Sequence, residues 1–164
     1  MPNTYEPIAT TTLTTDQSEV EFTNISQSYT DLIIVKTGLQ NASSNMGLRV
    51  GNGTVDTGSN YSGTQLYGNG TSAFSDRNSS QDQFFINFSN SNTNSVISII
   101  QIMNYSNTAT NKTLLVRNSD ASFYVSAYVF LWRSTAAINR LLFRNFTNGL
   151  KSGSTFTLYG IKAA

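Results

Sequence analysis

The sequence predicts an all-β protein, an antiparallel β-sandwich, with a jelly roll of about eight strands as the favoured arrangement. Short apolar or alternating segments recur along the 164 residues, with turn-forming residues between them. No segment has a convincing helical period of apolar residues, and no repeat of fixed length indicates a propeller or solenoid. An immunoglobulin-like sandwich is the alternative, although the chain has no cysteine for the Cys…Trp…Cys signature of that fold.

Strand candidates begin near the N-terminus. Residues 5–13 contain a proline, which suits an edge strand or the start of a strand. Residues 18–25 alternate between apolar and acidic side chains, a pattern typical of a half-exposed strand. Residues 31–37 form a short apolar run that predicts a strand buried on both faces, and residues 46–51 are a weaker candidate.

Residues 51–83 are dense in Gly, Asn, Ser and Asp, which favour turns. This composition predicts a long Gly/Asn-rich loop region, interrupted by a short strand near residues 64–67. Long loops within compact domains often carry function. We therefore expect residues 51–83, together with an N-terminal arm formed by residues 1–13, to reach neighbouring molecules.

The second half of the chain is richer in strand signals. The candidates are residues 84–88, 95–105, 113–118, 122–133, 138–146 and 154–161. Residues 122–133 carry the strongest signal, because their odd positions are largely aliphatic and their even positions largely aromatic, and we expect this strand to be covered on both faces. Residues 134–142 are compatible with one helical turn capped by Ser134, but the flanking β-branched and aromatic residues favour strands on either side.

Length and composition bound the organisation of the chain. Residues 1–164 fit one β-sandwich domain that is long enough to bury a core. A net charge of +1 without a basic run disfavours nucleic acid as a partner. No stretch approaches the ~20 apolar residues of a membrane-spanning helix, and the start lacks the basic and apolar regions of a secretory signal. The absence of cysteine fits synthesis in a reducing cytoplasm.

The chemical inventory argues against catalysis. The chain has no histidine and no cysteine, which removes the usual general base, the thiolate nucleophile and the common zinc ligands. The available carboxylates Asp56, Asp76 and Asp82 lie in turn-rich sequence, where Asp is expected anyway. Asp56 with Asn52 and Asn60 could offer oxygens to Ca²⁺, but the spacing differs from that of an EF-hand loop. We predict no enzyme activity, no catalytic residue, no cofactor and no metal.

Three aromatic residues in the turn-rich segment are candidate contacts for a glycan or a protein partner: Tyr61, Tyr67 and Phe74. Their rings could stack on a sugar, as aromatic rings do on other flat partners. Anchoring of a long loop onto the sandwich is the alternative, and the sequence favours it.

Charge is unevenly distributed along the chain. Eight of the nine acidic residues precede residue 83, and seven of the ten basic residues follow residue 111. Strand pairing in an antiparallel sandwich would mix the two sets, and this is our expectation. Otherwise, opposite patches could meet between neighbouring subunits.

Four segments resemble a recurrent type of structural protein of tailed bacteriophages of aquatic bacteria: MPNTYEPIATTTL, GSNYSGTQLYGNGTSA, LWRSTAAINRLLF and STFTLYGIKAA. The resemblance implies a virion structural protein on the particle exterior. The leading expectation is a capsid decoration (cement) protein that binds the major capsid protein, and the alternative is a tail-fibre or receptor-binding tip that contacts host glycan. A sandwich with free edges would suit a homotrimer in either role. The resemblance transfers no catalytic residue.

Overall fold

The computed structural model describes residues 4–39, 45–86, 94–120, 124–145 and 149–162, and within these ranges the chain forms strands and turns but no helix. The all-β prediction is confirmed. The strands, in chain order, are β1 Tyr5–Thr12, β2 Glu19–Phe22, β3 Asp31–Gly38, β4 Met46–Asn52, β5 Thr54–Val55, β6 Tyr61–Gly68, β7 Ala73–Gln81, β8 Phe84–Ile86, β9 Val96–Ile102, β10 Lys112–Asp120, β11 Tyr124–Trp132, β12 Arg140–Arg144 and β13 Thr155–Ile161.

These strands form two antiparallel sheets. The larger sheet has eight strands in the order β1-β13-β3-β9-β10-β11-β6-β7. In the smaller sheet, β12 lies between β2 and β4, and the other side of β4 pairs with β8 and with the two-residue β5. The edges of the larger sheet are β1 and β7.

One apolar core joins the facing surfaces of the two sheets. Because successive side chains on a strand point to opposite faces, each inner strand contributes every second residue to this core. Phe143 of the smaller sheet packs on Phe156 of the larger sheet, with 5.2 Å between ring centroids. Phe84 stacks on Phe130 at 4.7 Å in the same way. The predicted β-sandwich is thereby confirmed.

The segment 51–83 is not a long loop, and that prediction was wrong. It forms β5, β6 and β7, and the last two pair as a hairpin in the larger sheet. The turn is ordered by Asn69, whose Oδ1 accepts hydrogen bonds from the backbone N–H groups of Thr71 (3.1 Å) and Ser72 (2.9 Å). Residues 73–80 are exposed, so backbone pairing with β6 holds β7 in the sheet without the burial that a sequence pattern would reveal.

The predictions of an N-terminal arm and of a helical turn were also wrong. Residues 5–12 are not an arm, because they form the edge strand β1 paired with β13, while residues 1–3 lie outside the described ranges. Residues 134–139 contain no helical turn. The backbone N–H groups of Ile138 and Asn139 donate to the carbonyls of Tyr105 and Gly51, so these donors go to distant segments and are not used within a helix.

The acidic and basic halves of the sequence are mixed by strand pairing, as expected. Arg140 forms an ion pair with Glu21 across the β12–β2 pair. Lys151 pairs with Asp16 and Lys162 with Glu6, each at 2.8 Å. These three contacts join acids of the first half to bases of the second, which limits charge separation along the fold.

Candidate functional site: an exposed aliphatic sheet face

The outer face of the larger sheet, turned away from the smaller sheet, carries large aliphatic side chains in the open. Val125 and Val129 of β11 are 65% and 53% exposed, and Leu66 of β6 is 63% exposed. Ile97 of β9 and Leu115 of β10 are also exposed. Single apolar residues are normal on a protein surface, but a contiguous group of them marks an interaction site or an aggregation liability.

The register of the sheet makes this group contiguous. Leu115 lies opposite Val129, and Ala127 lies opposite Leu66. Directly opposed residues on neighbouring strands have Cβ atoms about 4.5–5.5 Å apart, so their side chains touch. We define the aliphatic face by the residues Leu66, Ile97, Ile99, Leu115, Val125, Ala127 and Val129.

The expectation that residues 122–133 are covered on both faces was wrong for the described part of that segment. The even-numbered residues of β11 are buried in the core, whereas the odd-numbered residues lie on the aliphatic face with no cover from the described chain. The prediction that residues 31–37 are buried on both faces was also wrong. Leu32 and Ile34 are buried, but the alternate residues of β3 are only partly buried.

Two grooves lie along the aliphatic face. The larger, about 650 Å³, runs from Ile97 and Ile99 across to the β6–β7 turn at Gly68 and Ala73. The smaller, about 320 Å³, adjoins Leu115 and Val129. Both are open depressions on a flat sheet, so they fit a protein surface better than an enclosed small molecule.

Arg117 lies in the middle of the aliphatic face. In the register of the sheet it is opposite Ile99 on one side and Ala127 on the other. The side chain is exposed, and within the described residues its guanidinium makes no ion pair or hydrogen bond. An aliphatic surface around one free guanidinium combines apolar contact with a single directional donor group.

Tyr61, the first of the predicted aromatic contacts, is fully buried. Its ring packs edge-on against Phe84 at 4.8 Å. Its hydroxyl lies 3.0 Å from the carbonyl oxygen of Val50 and 2.8 Å from that of Asp56, and it accepts a 3.2 Å bond from the Val50 N–H. A ring without exposed surface cannot contact a glycan or a partner, so Tyr61 has the anchoring role.

Tyr61→Phe is expected to lower the free energy of unfolding by about 1–3 kcal/mol, since it removes the hydroxyl that bonds the buried Val50 N–H and the partly buried Asp56 carbonyl. Urea denaturation measures this change. The control is Tyr5→Phe on the edge strand, whose exposed hydroxyl should contribute little. Equal stability of Tyr61→Phe and the wild type would contradict the anchoring role.

Tyr67 and Phe74 form a pair at the end of the β6–β7 hairpin, away from Tyr61. They are directly opposed in the register, and their rings stack with centroids 4.9 Å apart. Phe74 is 44% exposed, and Tyr67 is partly buried. The structure thus leaves this pair open to a partner, and its role as a contact stays a prediction.

Asp56 organises the loop that follows β5. Its carboxylate accepts hydrogen bonds from Trp132 Nε1 (2.7 Å), Asn60 Nδ2 (2.8 Å) and the Gly58 N–H (2.8 Å). Burial acts to raise the pKa of Asp56, but these hydrogen bonds outweigh it and lower the pKa. The carboxylate therefore has a structural role. The side chain of Asn52 does not join it, and its Oδ1 accepts a hydrogen bond from Asn139 Nδ2.

The other two candidate carboxylates have hydrogen-bond partners of their own. Asp82 pairs with Arg49, and Asp76 accepts a 2.7 Å bond from the backbone N–H of Arg77 on the edge strand. Among the described residues, no group of three acidic side chains could hold a metal ion together. The described chain also forms no helix with the length and hydropathy needed to cross a membrane.

No protein-family model matches the chain, and no curated protein is significantly similar to it. Functional inference therefore depends on the geometry described above and on the resemblance of the four sequence segments. Sequence reasoning missed the residues of the aliphatic face as functional candidates. One signal was available: both faces of residues 122–133 are apolar, which predicts that both faces are covered. The described chain covers only one of them, so the other could be covered by a partner.

Proposed function

We propose that this protein is a bacteriophage virion structural protein, a capsid decoration (cement) protein that binds and stabilises the major capsid lattice through its aliphatic face. The observation that supports the proposal is a contiguous group of exposed aliphatic side chains held on a rigid sheet. Patches of this kind mark protein–protein contact sites.

We also infer that the sandwich is a jelly roll with two added hairpins. When β5 and the hairpins β6–β7 and β10–β11 are set aside, eight strands remain, in the orders β1-β13-β3-β9 and β2-β12-β4-β8. The chain passes back and forth between these two four-stranded sheets, as in the double Greek key of a jelly roll, an architecture found in viral capsid and lectin domains. The hairpins widen one sheet and provide most of the aliphatic face.

The surface chemistry supports a particle component. Only 12% of the residues carry charge, so contacts made by this surface depend weakly on salt screening. The absence of cysteine removes one route of oxidative damage. A homotrimer on the particle exterior is part of the proposal, and sedimentation equilibrium of the purified chain tests it.

The location on the particle, head or tail, is tested by counting copies in purified particles of a bacteriophage whose genome encodes the chain. Quantitative mass spectrometry combined with immunogold labelling should find on the order of hundreds of copies on the head, as symmetric lattices require. A few copies at the tail would reject a decoration role. Absence from the particle would reject a virion role altogether.

A double variant, Val125→Ser with Val129→Ser, is expected to reduce occupancy of the particle at least about ten-fold, since both are among the most exposed side chains of the aliphatic face. The variant should unfold like the wild type, because these residues are exposed in the free chain. Tyr5→Ser is the matched control, since Tyr5 is 58% exposed on the opposite edge of the sheet. Undiminished occupancy of the double variant would show that another surface binds.

The alternative function is a tail-fibre or receptor-binding tip that contacts host glycan. The stacked, partly exposed pair of Tyr67 and Phe74 favours it, because such rings can stack on sugars. Glycan-array binding that disappears in Tyr67→Ala and Phe74→Ala, but persists in Tyr5→Ala, would support this function. If the wild type binds no glycan, the receptor-binding function is rejected.

A further inference from the structure

We infer that the partner of the aliphatic face is a different protein surface, one that presents aliphatic side chains around at least one carboxylate, and that this carboxylate pairs with Arg117. The inference rests on the proposed protein-binding function and names the chemistry of the partner. It is carried by the position of Arg117 and by the charges that accompany it on this side of the sheet.

Arg117 sets the first requirement on the partner. Any surface that covers Ile99 and Ala127 also covers the guanidinium between them. Removing a cation from water without a counter-charge is strongly unfavourable, whereas a guanidinium that donates two parallel hydrogen bonds to a carboxylate is well compensated. No described residue of this chain supplies that acceptor, so the partner must supply it.

The remaining charges argue against symmetric pairing with a second copy. On the outer side of the strands that form the grooves, β9, β10, β11, β6 and β7, the charged residues are Arg117 and Arg77, and none is acidic. Two copies facing each other through this surface would bring arginines together without a carboxylate. Asp31 lies on this side of the sheet as well, but it is the first residue of β3 and stands outside the aliphatic face, where its Oδ1 accepts a 2.7 Å bond from the Asn104 N–H.

The edge of the sheet is a weaker docking site than the face. Strand β7 is the outermost strand, and edge strands can add a further strand from another chain. Here the Asp76 carboxylate accepts a hydrogen bond from the backbone N–H of Arg77. Charged side chains placed in this way protect an edge against strand addition. This hydrogen bond disfavours strand addition at that position of β7.

The test is selection from a displayed library of short random peptides, with the full chain as bait. The chain has no cysteine, so Thr15→Cys at an exposed position remote from the face allows attachment to a support at one point. The wild type should enrich peptides that combine Leu, Ile or Val with Asp or Glu. These peptides should bind Arg117→Gln at least about ten-fold more weakly, the effect of losing one charge-assisted hydrogen-bonded pair.

Two variants sharpen the outcome. Arg117→Glu should shift the selection toward peptides that carry Lys or Arg, because the central charge is inverted. Arg77→Gln is the matched control, an exposed arginine on the outer strand beside the grooves, and should leave binding nearly unchanged. Circular dichroism and urea denaturation establish that each variant folds.

Three results would overturn the inference: no enrichment of acidic aliphatic peptides, equal binding by wild type and Arg117→Gln, or a wild-type dimer in sedimentation that Val129→Lys abolishes. The particle experiment separates this inference from the proposed function. Peptide selection as expected, with the chain absent from particles, would reject the virion role and keep the partner chemistry. Normal particle occupancy by Arg117→Gln would reject the partner chemistry and keep the virion role.

Discussion

Replacement of Phe84 by alanine is expected to lower the free energy of unfolding by about 3–5 kcal/mol, the range for removal of a buried ring. Phe84 is 1% exposed and lies between the two sheets. It stacks on Phe130 of the larger sheet at 4.7 Å and contacts Tyr61 edge-on at 4.8 Å. The variant therefore loses two aromatic contacts and leaves a cavity that connects both sheets. Since single domains are stable by about 5–15 kcal/mol, this is a large fraction of the total.

Urea denaturation followed by the fluorescence of Trp132, the single tryptophan and itself buried, measures this effect. Phe74→Ala is the matched control. Its ring is 44% exposed and stacks on Tyr67 at the end of a hairpin outside the core, so its loss should cost less than about 1 kcal/mol. Comparable losses in the two variants would mean that Phe84 does not couple the sheets.

The free energy of unfolding is expected to rise with pH between about pH 8 and pH 10, and Lys36→Met should remove most of that rise. Lys36 is fully buried on the inner face of β3, beside Ser98 of β9 and Phe156 of β13. Burial lowers the pKa of Lys36 to about 8 from its ordinary value of 10.5. Between these two values the unfolded chain binds more protons than the folded chain, so raising the pH stabilises the fold.

The expected slope approaches about 1.4 kcal/mol per pH unit within this window, which is the free energy that corresponds to one proton. At the high-pH end, burial raises the pKa of Tyr61 and Tyr124, so ionisation of these tyrosines in the unfolded chain opposes further stabilisation. Measurements between pH 7.5 and pH 9.5 avoid the tyrosines, whose ordinary value is 10.0. Burial also lowers the pKa of Lys112, so a smaller rise of the same sign should remain in Lys36→Met. Lys151→Met, which removes a surface ammonium paired with Asp16, is the control and should keep the slope. A slope unchanged in Lys36→Met would contradict the assignment.

Much of the fold could be predicted from local pattern. Residues 19–22 alternate strictly between acidic and apolar side chains, and they form a strand whose apolar residues are buried. Alternation is readable because a strand that packs on one side imposes a period of two on its own residues. The same logic fails for β7, whose residues are nearly all exposed and whose place in the sheet depends on pairing with β6.

The candidate site was less predictable. Tyr61 and Tyr67 belong to the same strand, and nothing in their local sequence distinguishes the buried ring from the one at the open end of the hairpin. The difference arises because Phe84 and the carbonyl of Val50 come from other strands and enclose only Tyr61. Long-range pairing of this kind has no signature in a short window of sequence.

The sequence by itself determined that the protein is built of strands and that no histidine or cysteine chemistry is available to it. Only the tertiary structure decided which apolar surfaces are covered. Both faces of residues 124–132 are apolar in sequence, but the smaller sheet packs against the even-numbered residues and leaves Val125 and Val129 exposed. The reason is physical: the period of a strand is a local property, whereas burial depends on which distant strands pack against each face.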